Sequence, residues 1–334
     1  MTIDIKSEEI TPRRQTFSHI ARRFGTDKPA SRYEEATFDV QPKVNFHYRP
    51  TYAPEFELFD SARTKIAMKD WYVFKDPRQF YYATYNINRA AMQQRFDSAL
   101  EFVEKRALLN ALKPRQRQKI AFYLIPLRHF EWAANMNSQL VADWAYGTQI
   151  ASAAAFAGAD RLGIAQLISR IALAMGEGGD ELLVRGKTQW MTRPEWQPLR
   201  RLVEDVLIVR DWFKTFIAQY LMDGIVYPMV YESFDRQAPS ALSLITGFMR
   251  DWFSDHSRWT DSVIKTAAME NADNRELLSK WCAHWLPRAA EAMHRLAKTV
   301  LGESGHAAQP TLRRRSGLAL RRSASMYLEG SDEP

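Results

Sequence analysis

A carboxylate and an imidazole three residues apart share one face of a helix, and two such pairs with two further carboxylates can hold a binuclear iron centre. The chain carries one literal Glu-x-x-His, Glu291-Ala292-Met293-His294. It follows Pro287 near the end of the helical pattern, where a solvated i, i+3 pair is the simpler account. Two other stretches keep the outline of a metal-binding helix without its ligands. Ile125-Pro126-Leu127-Arg128-His129 retains an Arg-His pair and places Pro126 where the carboxylate belongs. Asp255-His256-Ser257-Arg258-Trp259 retains the Asp and the Arg, with His256 at the carboxylate position and Trp259 at the histidine position. A hard, oxygen-loving iron pair needs several carboxylates to balance its charge. The expectation is therefore a bundle without metal, with Pro126, His129, His256 and Trp259 at vestigial ligand positions.

Two readings of His129 remain open at this level. It is either a core histidine bonded to a neighbouring helix, or it joins Arg128 and Glu131 in a buried polar network that replaces the metal. Arg250, Asp251, Asp255 and Arg258 crowd one helix and read as a salt-bridge ladder. Gly176-Glu177-Gly178-Gly179 lacks the Gly-Lys-Ser/Thr ending of a phosphate loop and reads as a helix stop. There is no Gly-x-Ser-x-Gly elbow, no His-Glu-x-x-His and no Rossmann glycine pattern. Cys282 is the single cysteine, which excludes an intrachain disulfide and a thiolate cluster and fits a reducing compartment.

The elements around these residues are helical. Asp76-Pro77 reads as a helix start, and Tyr81, Tyr85, Met92, Phe96, Ala99 and Val103 draw one apolar stripe from there to about Leu109. The next helix contains Pro126 and should kink at it. Residues 148–175 form a helix rich in alanine, suited to close packing. Pro194 and Pro198 open a long helix bearing Leu202, Val206, Val209, Phe213, Ile217 and Tyr220, which Gly224 and Pro228 interrupt. Pro239-Ser240 opens the helix of Leu244, Phe248, Trp252 and Trp259. The last helix carries Leu277, Trp281, Trp285, Met293 and Val300 and stops at Gly302. About seven or eight helices and no strand pattern make the chain all-α, a bundle with satellite helices.

The boundaries drawn are an N-terminal arm over 1–75, a helical domain over 76–302 and a basic tail over 303–334. The arm reads as extended, Lys28-Pro29-Ala30-Ser31-Arg32-Tyr33 included, yet it is dense in aromatics. Phe46, Tyr48, Tyr52 and Trp71 are its interface candidates, against the alternative of an arm folded back on its own domain. The formal charge is +7, much of it in Arg313-Arg314-Arg315 and Arg321-Arg322. With no nucleic-acid motif beside it, this reads as a solvated tail. No apolar run approaches a membrane span and no signal sequence opens the chain, so a cytoplasmic location is expected.

Several stretches together carry a family resemblance. They include His19-Ile20-Ala21-Arg22-Arg23-Phe24-Gly25, Asn45-Phe46-His47-Tyr48-Arg49-Pro50, Asp76-Pro77-Arg78-Gln79-Phe80-Tyr81-Tyr82 and Pro126-Leu127-Arg128-His129. Asp160-Arg161-Leu162-Gly163, Arg210-Asp211-Trp212-Phe213, Phe248-Met249-Arg250-Asp251-Trp252 and Glu270-Asn271-Ala272-Asp273-Asn274-Arg275-Glu276 continue it. Over residues 17 to 301 the chain resembles the metal-free β hydroxylase subunit of bacterial multicomponent monooxygenases, in the phenol hydroxylase and toluene ortho-monooxygenase branch. The resemblance implies a ferritin-like fold and an (αβγ)2 assembly with a small γ subunit. It places the di-iron centre in the α partner and no cofactor or catalytic residue in this chain. It further implies O2-dependent hydroxylation of phenol, toluene or similar aromatics, with NADH, FAD and an iron–sulfur cluster in a separate reductase, and a transient regulatory protein. The alternatives are a di-iron carboxylate enzyme in its own right and a basic helical binding protein.

Overall fold

Local capping decides where the helices begin, and it differs from the sequence reading at several points. In the structure, a computed structural model, residues 17–26, 30–41, 49, 53–57 and 59–301 are described. Phe46, Tyr48, Tyr52 and the basic tail lie outside them. Two short helices come first, α1 (Ser18–Phe24) and α2 (Arg32–Thr37). The second overturns the extended reading of Ser31-Arg32-Tyr33. The Ser31 hydroxyl accepts from the Glu34 N–H at 3.2 Å while the Glu34 carboxylate accepts from the Ser31 N–H at 2.8 Å, a reciprocal cap that starts a helix.

The described parts of the arm fold back on their own domain. Ile20, Tyr33, Phe38 and Tyr72 form a small core of their own, and the Tyr33 hydroxyl accepts from the Asp76 N–H at 2.7 Å. Trp71 is a correction to the interface candidates. It is 7 % exposed and packs on Trp212, with ring centroids 5.9 Å apart, so this chain already uses its surface. Beside it Gly147 sits at φ +96, and a Cβ there would meet the Trp71 carbonyl oxygen at 3.0 Å. The Gly147 N–H donates to Gln41 at 2.7 Å.

Asp76 does not open the next helix. Its carboxylate is taken by Arg78, at 2.9 Å from Nη2 and at 2.8 Å from the backbone N–H. The turn this makes defers the helix start to α3 (Tyr82–Lys105). The pair α4 (Pro114–Tyr123) and α5 (Leu127–Trp144) replaces the expected kinked helix. Pro126 immediately precedes α5, where its missing N–H leaves no bond unmade. α6 (Thr148–Met175) matches its predicted bounds. Its Gly158 lets α5 come close, since a Cβ there would stand 2.4 Å from Gln139 Nε2, and Asn135 Nδ2 donates to the Gly158 carbonyl at 2.8 Å.

After α7 (Glu181–Thr192), the single helix expected from Pro194 onward is two, α8 (Gln197–Leu207) and α9 (Trp212–Pro228). Asp211 divides them. Its Oδ1 accepts from the N–H groups of Phe213 and Lys214 at 3.0 and 3.1 Å. The same carboxylate takes the Thr64 hydroxyl at 2.8 Å and the Lys65 N–H at 2.9 Å, which ties the arm to this helix start. Gly224 does not break α9. At Pro228, which cannot donate back to Gly224, the chain widens into a π-helical turn over Met229–Phe234 instead of stopping. The last elements are α10 (Ser240–Glu270) and α11 (Ala272–Leu301), separated only by Asn271.

Among the described residues there are helices and no strands. α5 packs most extensively on α6, and α9 and α10 close against that pair. These four surround the centre, with α3, α4, α7, α8 and α11 outside them. The core is continuous through all of them, with Trp196, Trp212, Trp252 and Trp259 among its largest fully buried side chains. Cys282 is buried in it, and burial pushes its thiol up to about 11.

Candidate functional site at the bundle centre

Each of the four central helices contributes to one buried polar cluster. α6 contributes Arg161, which is 1 % exposed. Its Nη1 donates to Glu131 of α5 at 3.0 Å and to the Tyr227 hydroxyl of α9 at 3.1 Å, and its Nη2 donates to Asp223 of α9. The Tyr227 hydroxyl donates to the other Glu131 oxygen at 2.8 Å, and Gln219 Nε2 donates to the other Asp223 oxygen at 2.8 Å. Asn137 Nδ2 completes the row, donating to Gln219 at 3.0 Å. From α10, Trp252 lays its ring 4.5 Å from the guanidinium, and His256 stacks on Trp252 with centroids 4.5 Å apart.

This is a guanidinium held between two carboxylates in a water-poor interior. Burial pushes the pKa values of Glu131 and Asp223 up, and Arg161 opposes that in both. Burial works against the charge on Arg161 too, yet Asp223, Tyr227 and Glu131 hold its pKa above the ordinary value. Burial, and then the cations Arg161, Arg78 and Arg89, push His256 well below the usual histidine range, so it is neutral.

A second polar layer lies beside the first. Asp160, the neighbour of Arg161, accepts from Trp252 Nε1 at 2.7 Å, from Tyr85 at 2.9 Å and from Arg89 Nε at 2.9 Å. Asp255 lies 3.3 Å from Arg89 Nη2 and 3.9 Å from Arg78 Nη1. The expected ladder along one helix is therefore replaced, for Asp255, by pairing across to α3 and the segment before it. Arg250 and Asp251 stay at the surface, 3.8 Å apart.

The structure separates the four vestigial positions. His256 and Trp259 are both buried and line a cavity of about 20 Å³ with Asp223, Gln219, Asn137 and Thr215. Pro126 and His129 are elsewhere. Pro126 precedes the first turn of α5, and His129 stacks on Trp190 of α7 with centroids 6.0 Å apart. Of the network foreseen around His129, only Glu131 is in place, and its cation is Arg161 in the position assigned to Arg128. Nε2 of His129 is buried without a hydrogen-bond partner, so the bonded core histidine is not realised at that atom.

Arg161, Asp223, Tyr227 and Gln219 were missed. One signal was an acid alone among apolar residues, Leu221-Met222-Asp223-Gly224-Ile225-Val226. The other was Asp160-Arg161, which repeats the register of Asp255-His256.

The residues present do not fit a binuclear iron centre. The bundle axis is filled by the guanidinium, and neither α6 nor α10 offers a carboxylate–histidine pair facing it. Among the described residues no three His, Cys, Asp or Glu side chains gather as a metal site. Glu291 and His294 are exposed on α11.

Burial, followed by Arg128 and Lys187, lowers His129 to about 4. A folded value below the unfolded value of about 6.5 means that the unfolded chain binds the extra proton. Stability tied to His129 is complete above pH 6.5 and is lost as pH falls towards 4. The unfolding free energy of the wild type, measured relative to His129→Phe, should fall between pH 7 and pH 4 by about 1–2 kcal/mol, less than the full shift because solvent reaches and screens the half-buried ring. Urea titrations of both proteins across that range check this.

A sequence profile of the methane/phenol/alkene hydroxylase family matches residues 49–271. The chain is 43 % identical over 307 residues to phenol 2-monooxygenase, oxygenase component DmpL, of Pseudomonas sp. (strain CF600), covering 90 % of this chain and 92 % of that one. It is 28 % identical over 236 residues to the hydroxylase component subunit beta of the toluene-4-monooxygenase system of Ectopseudomonas mendocina, covering 67 % and 71 %. Among solved structures, xenon-pressurized phenol hydroxylase from Pseudomonas sp. OX1 superposes with a TM-score of 0.88 at 43 % identity, over 96 % of this chain and 98 % of that one. Toluene 4-monooxygenase, with toluene bound in its resting active site, shares the fold at a TM-score of 0.72 and 22 % identity, over 86 % and 97 %. The ferritin-like bundle expected from the sequence is the observed fold, and the chain belongs to the methane/phenol/alkene hydroxylase family.

Proposed function

We propose that this chain is the non-catalytic β subunit of a multicomponent hydroxylase that oxygenates phenol, toluene or similar aromatics with O2 and NADH. The observation that carries this reading is Arg161, buried between Glu131 and Asp223 where a ferritin-like bundle would hold its metal. The di-iron centre then belongs to an α partner. A small γ subunit completes an (αβγ)2 assembly, and a reductase carrying FAD and an iron–sulfur cluster and a regulatory protein join transiently. The relatives' descriptions as oxygenase and hydroxylase components support membership of such an assembly. Cytoplasmic residence is part of the proposal. Among the described residues no helix is long and apolar enough to cross a membrane.

The surface offers places for partners. Trp132 and Met136, one turn apart on α5, are 55 % and 39 % exposed, and Tyr82 and Ile87 stand out from α3. A large exposed tryptophan is a common anchor of protein interfaces. Native mass spectrometry of the assembly, purified from its own host on a tag at this chain, tests the proposal. Two copies of this chain with two larger iron-bearing chains and two small ones are expected. This chain alone with two bound irons would refute it. In the same experiment Trp132→Ser should weaken retention of the partners by about 2 kcal/mol or more, roughly thirty-fold, with the chain's own unfolding midpoint unchanged. Undiminished retention would remove Trp132 from the interface.

A further inference from the structure

Four side chains that meet at one small cavity each carry a buried polar atom with no hydrogen-bond partner among the described residues. Asn137 of α5, Thr215 of α9, and His256 and Trp259 of α10 all line the cavity of about 20 Å³. The atoms are Asn137 Oδ1, Thr215 Oγ1, His256 Nδ1 and Trp259 Nε1. The four residues are 2 %, 0 %, 5 % and 2 % exposed, so bulk water does not serve them. Leaving a buried polar group unbonded is costly, and native interiors hold few such groups. Four around one space is a concentration that apolar packing does not explain.

The bonds made elsewhere fix what each side chain can offer there. Asn137 Nδ2 already donates to Gln219 at 3.0 Å, and Gln219 donates onward to Asp223 at 2.8 Å. The Asn137 amide cannot turn without breaking that row, so it offers its oxygen, an acceptor. Trp259 Nε1 can only donate. Ser138, Thr246 and Ser257 on the neighbouring helices spend their hydroxyls on the carbonyl four residues back. Thr215 does not, which leaves its hydroxyl for another partner. His256 is neutral, with one ring nitrogen to donate and one to accept.

We propose that this cavity is a binding site for one ordered water molecule bonded to all four side chains. The water accepts from Trp259 Nε1 and the Thr215 hydroxyl, and it donates to Asn137 Oδ1 and to Nδ1 of His256, which carries its own proton on Nε2. Both protons and both lone pairs of the water are used, and no orphan remains. The cavity is large enough, since one water needs about 10–15 Å³ and two to four polar partners. Its position gives it a structural task. The row from Asn137 through Gln219 and Asp223 to Arg161 links α5, α9 and α6, and meets α10 through the ring of Trp252. The water extends that row to α10 by hydrogen bonds.

A high-resolution crystal structure of the assembly purified on this chain reads the site directly. One fully occupied water within about 3.2 Å of at least three of the four atoms is expected. A dry cavity overturns the proposal, and so do side chains that have turned to protein partners instead. Thr215→Val in the full chain gives a second readout, because it keeps the shape of the side chain and deletes the hydroxyl. A hydroxyl bonded to water is lost at a cost, so the thermal midpoint should fall by roughly 2 °C. A hydroxyl buried without a partner is better removed, so an unchanged or raised midpoint counts against the water. Should Thr215→Val fail to fold, the wild-type density decides alone.

Discussion

Arg161→Leu should lower the unfolding free energy by about 3–5 kcal/mol, because it leaves two buried carboxylates with no cation between them. Leucine fills much of the volume but offers nothing to Glu131 Oε2 or Asp223 Oδ2, whose bonds to the guanidinium it deletes. The loss should depend on pH with a definite sign. Carboxylates whose folded pKa is raised bind protons more tightly in the folded chain, so the stability they withhold is regained as pH falls. The deficit of Arg161→Leu should therefore shrink from pH 8 to pH 5, and a deficit that grew towards pH 5 would contradict the assignment. The companion variant replaces the group as a unit, Glu131→Leu with Arg161→Met and Asp223→Leu. Buried ion clusters exchanged for apolar residues of similar size are often neutral or stabilising by about 1–4 kcal/mol. This triple variant should be at least as stable as the single one by a wide margin. Urea denaturation followed by tryptophan fluorescence measures all three proteins.

Trp252→Ala should be comparably severe, at about 3–5 kcal/mol. The indole is fully buried and touches both polar layers at once. Its face lies 4.5 Å from the Arg161 guanidinium and its N–H donates to Asp160 at 2.7 Å. It also carries the His256 ring. Trp252→Phe separates these roles. It keeps an aromatic face for the cation and leaves Asp160 Oδ2 without the indole donor, so a smaller loss of about 1–3 kcal/mol is expected. A phenylalanine variant as unstable as the alanine one would mean that the hydrogen bond to Asp160 dominates the packing.

The fold was legible in the sequence where one pattern governed a whole element. The alanine-rich stretch of α6 ends at its predicted residues because nothing inside it competes with the helix and Gly176 stops it. Boundaries failed where a capping residue was engaged by another partner. The Asp76 carboxylate turns to Arg78 while its backbone N–H donates to distant Tyr33, and Asp211 holds the arm at Thr64 and Lys65 while it caps α9. The bonds to Tyr33, Thr64 and Lys65 have no local signature. The centre was half legible for a related reason. His256 and Trp259 were found through a template written for one helix, and the same template placed on α5 selected Pro126 and His129. Which helix faces which is a tertiary fact, and only the packing of α5 against α6 shows that Glu131 looks inward to Arg161 while His129 looks outward to Trp190.

A cation that belongs to the side chain is always at full occupancy. In a bundle held by bound iron, stability rises with the logarithm of free metal and drops when a chelator competes. The positive charge between Glu131 and Asp223 has no such dependence, since no concentration enters its binding. The charges that close this part of the core, one cation and two carboxylates, are all supplied by the chain itself.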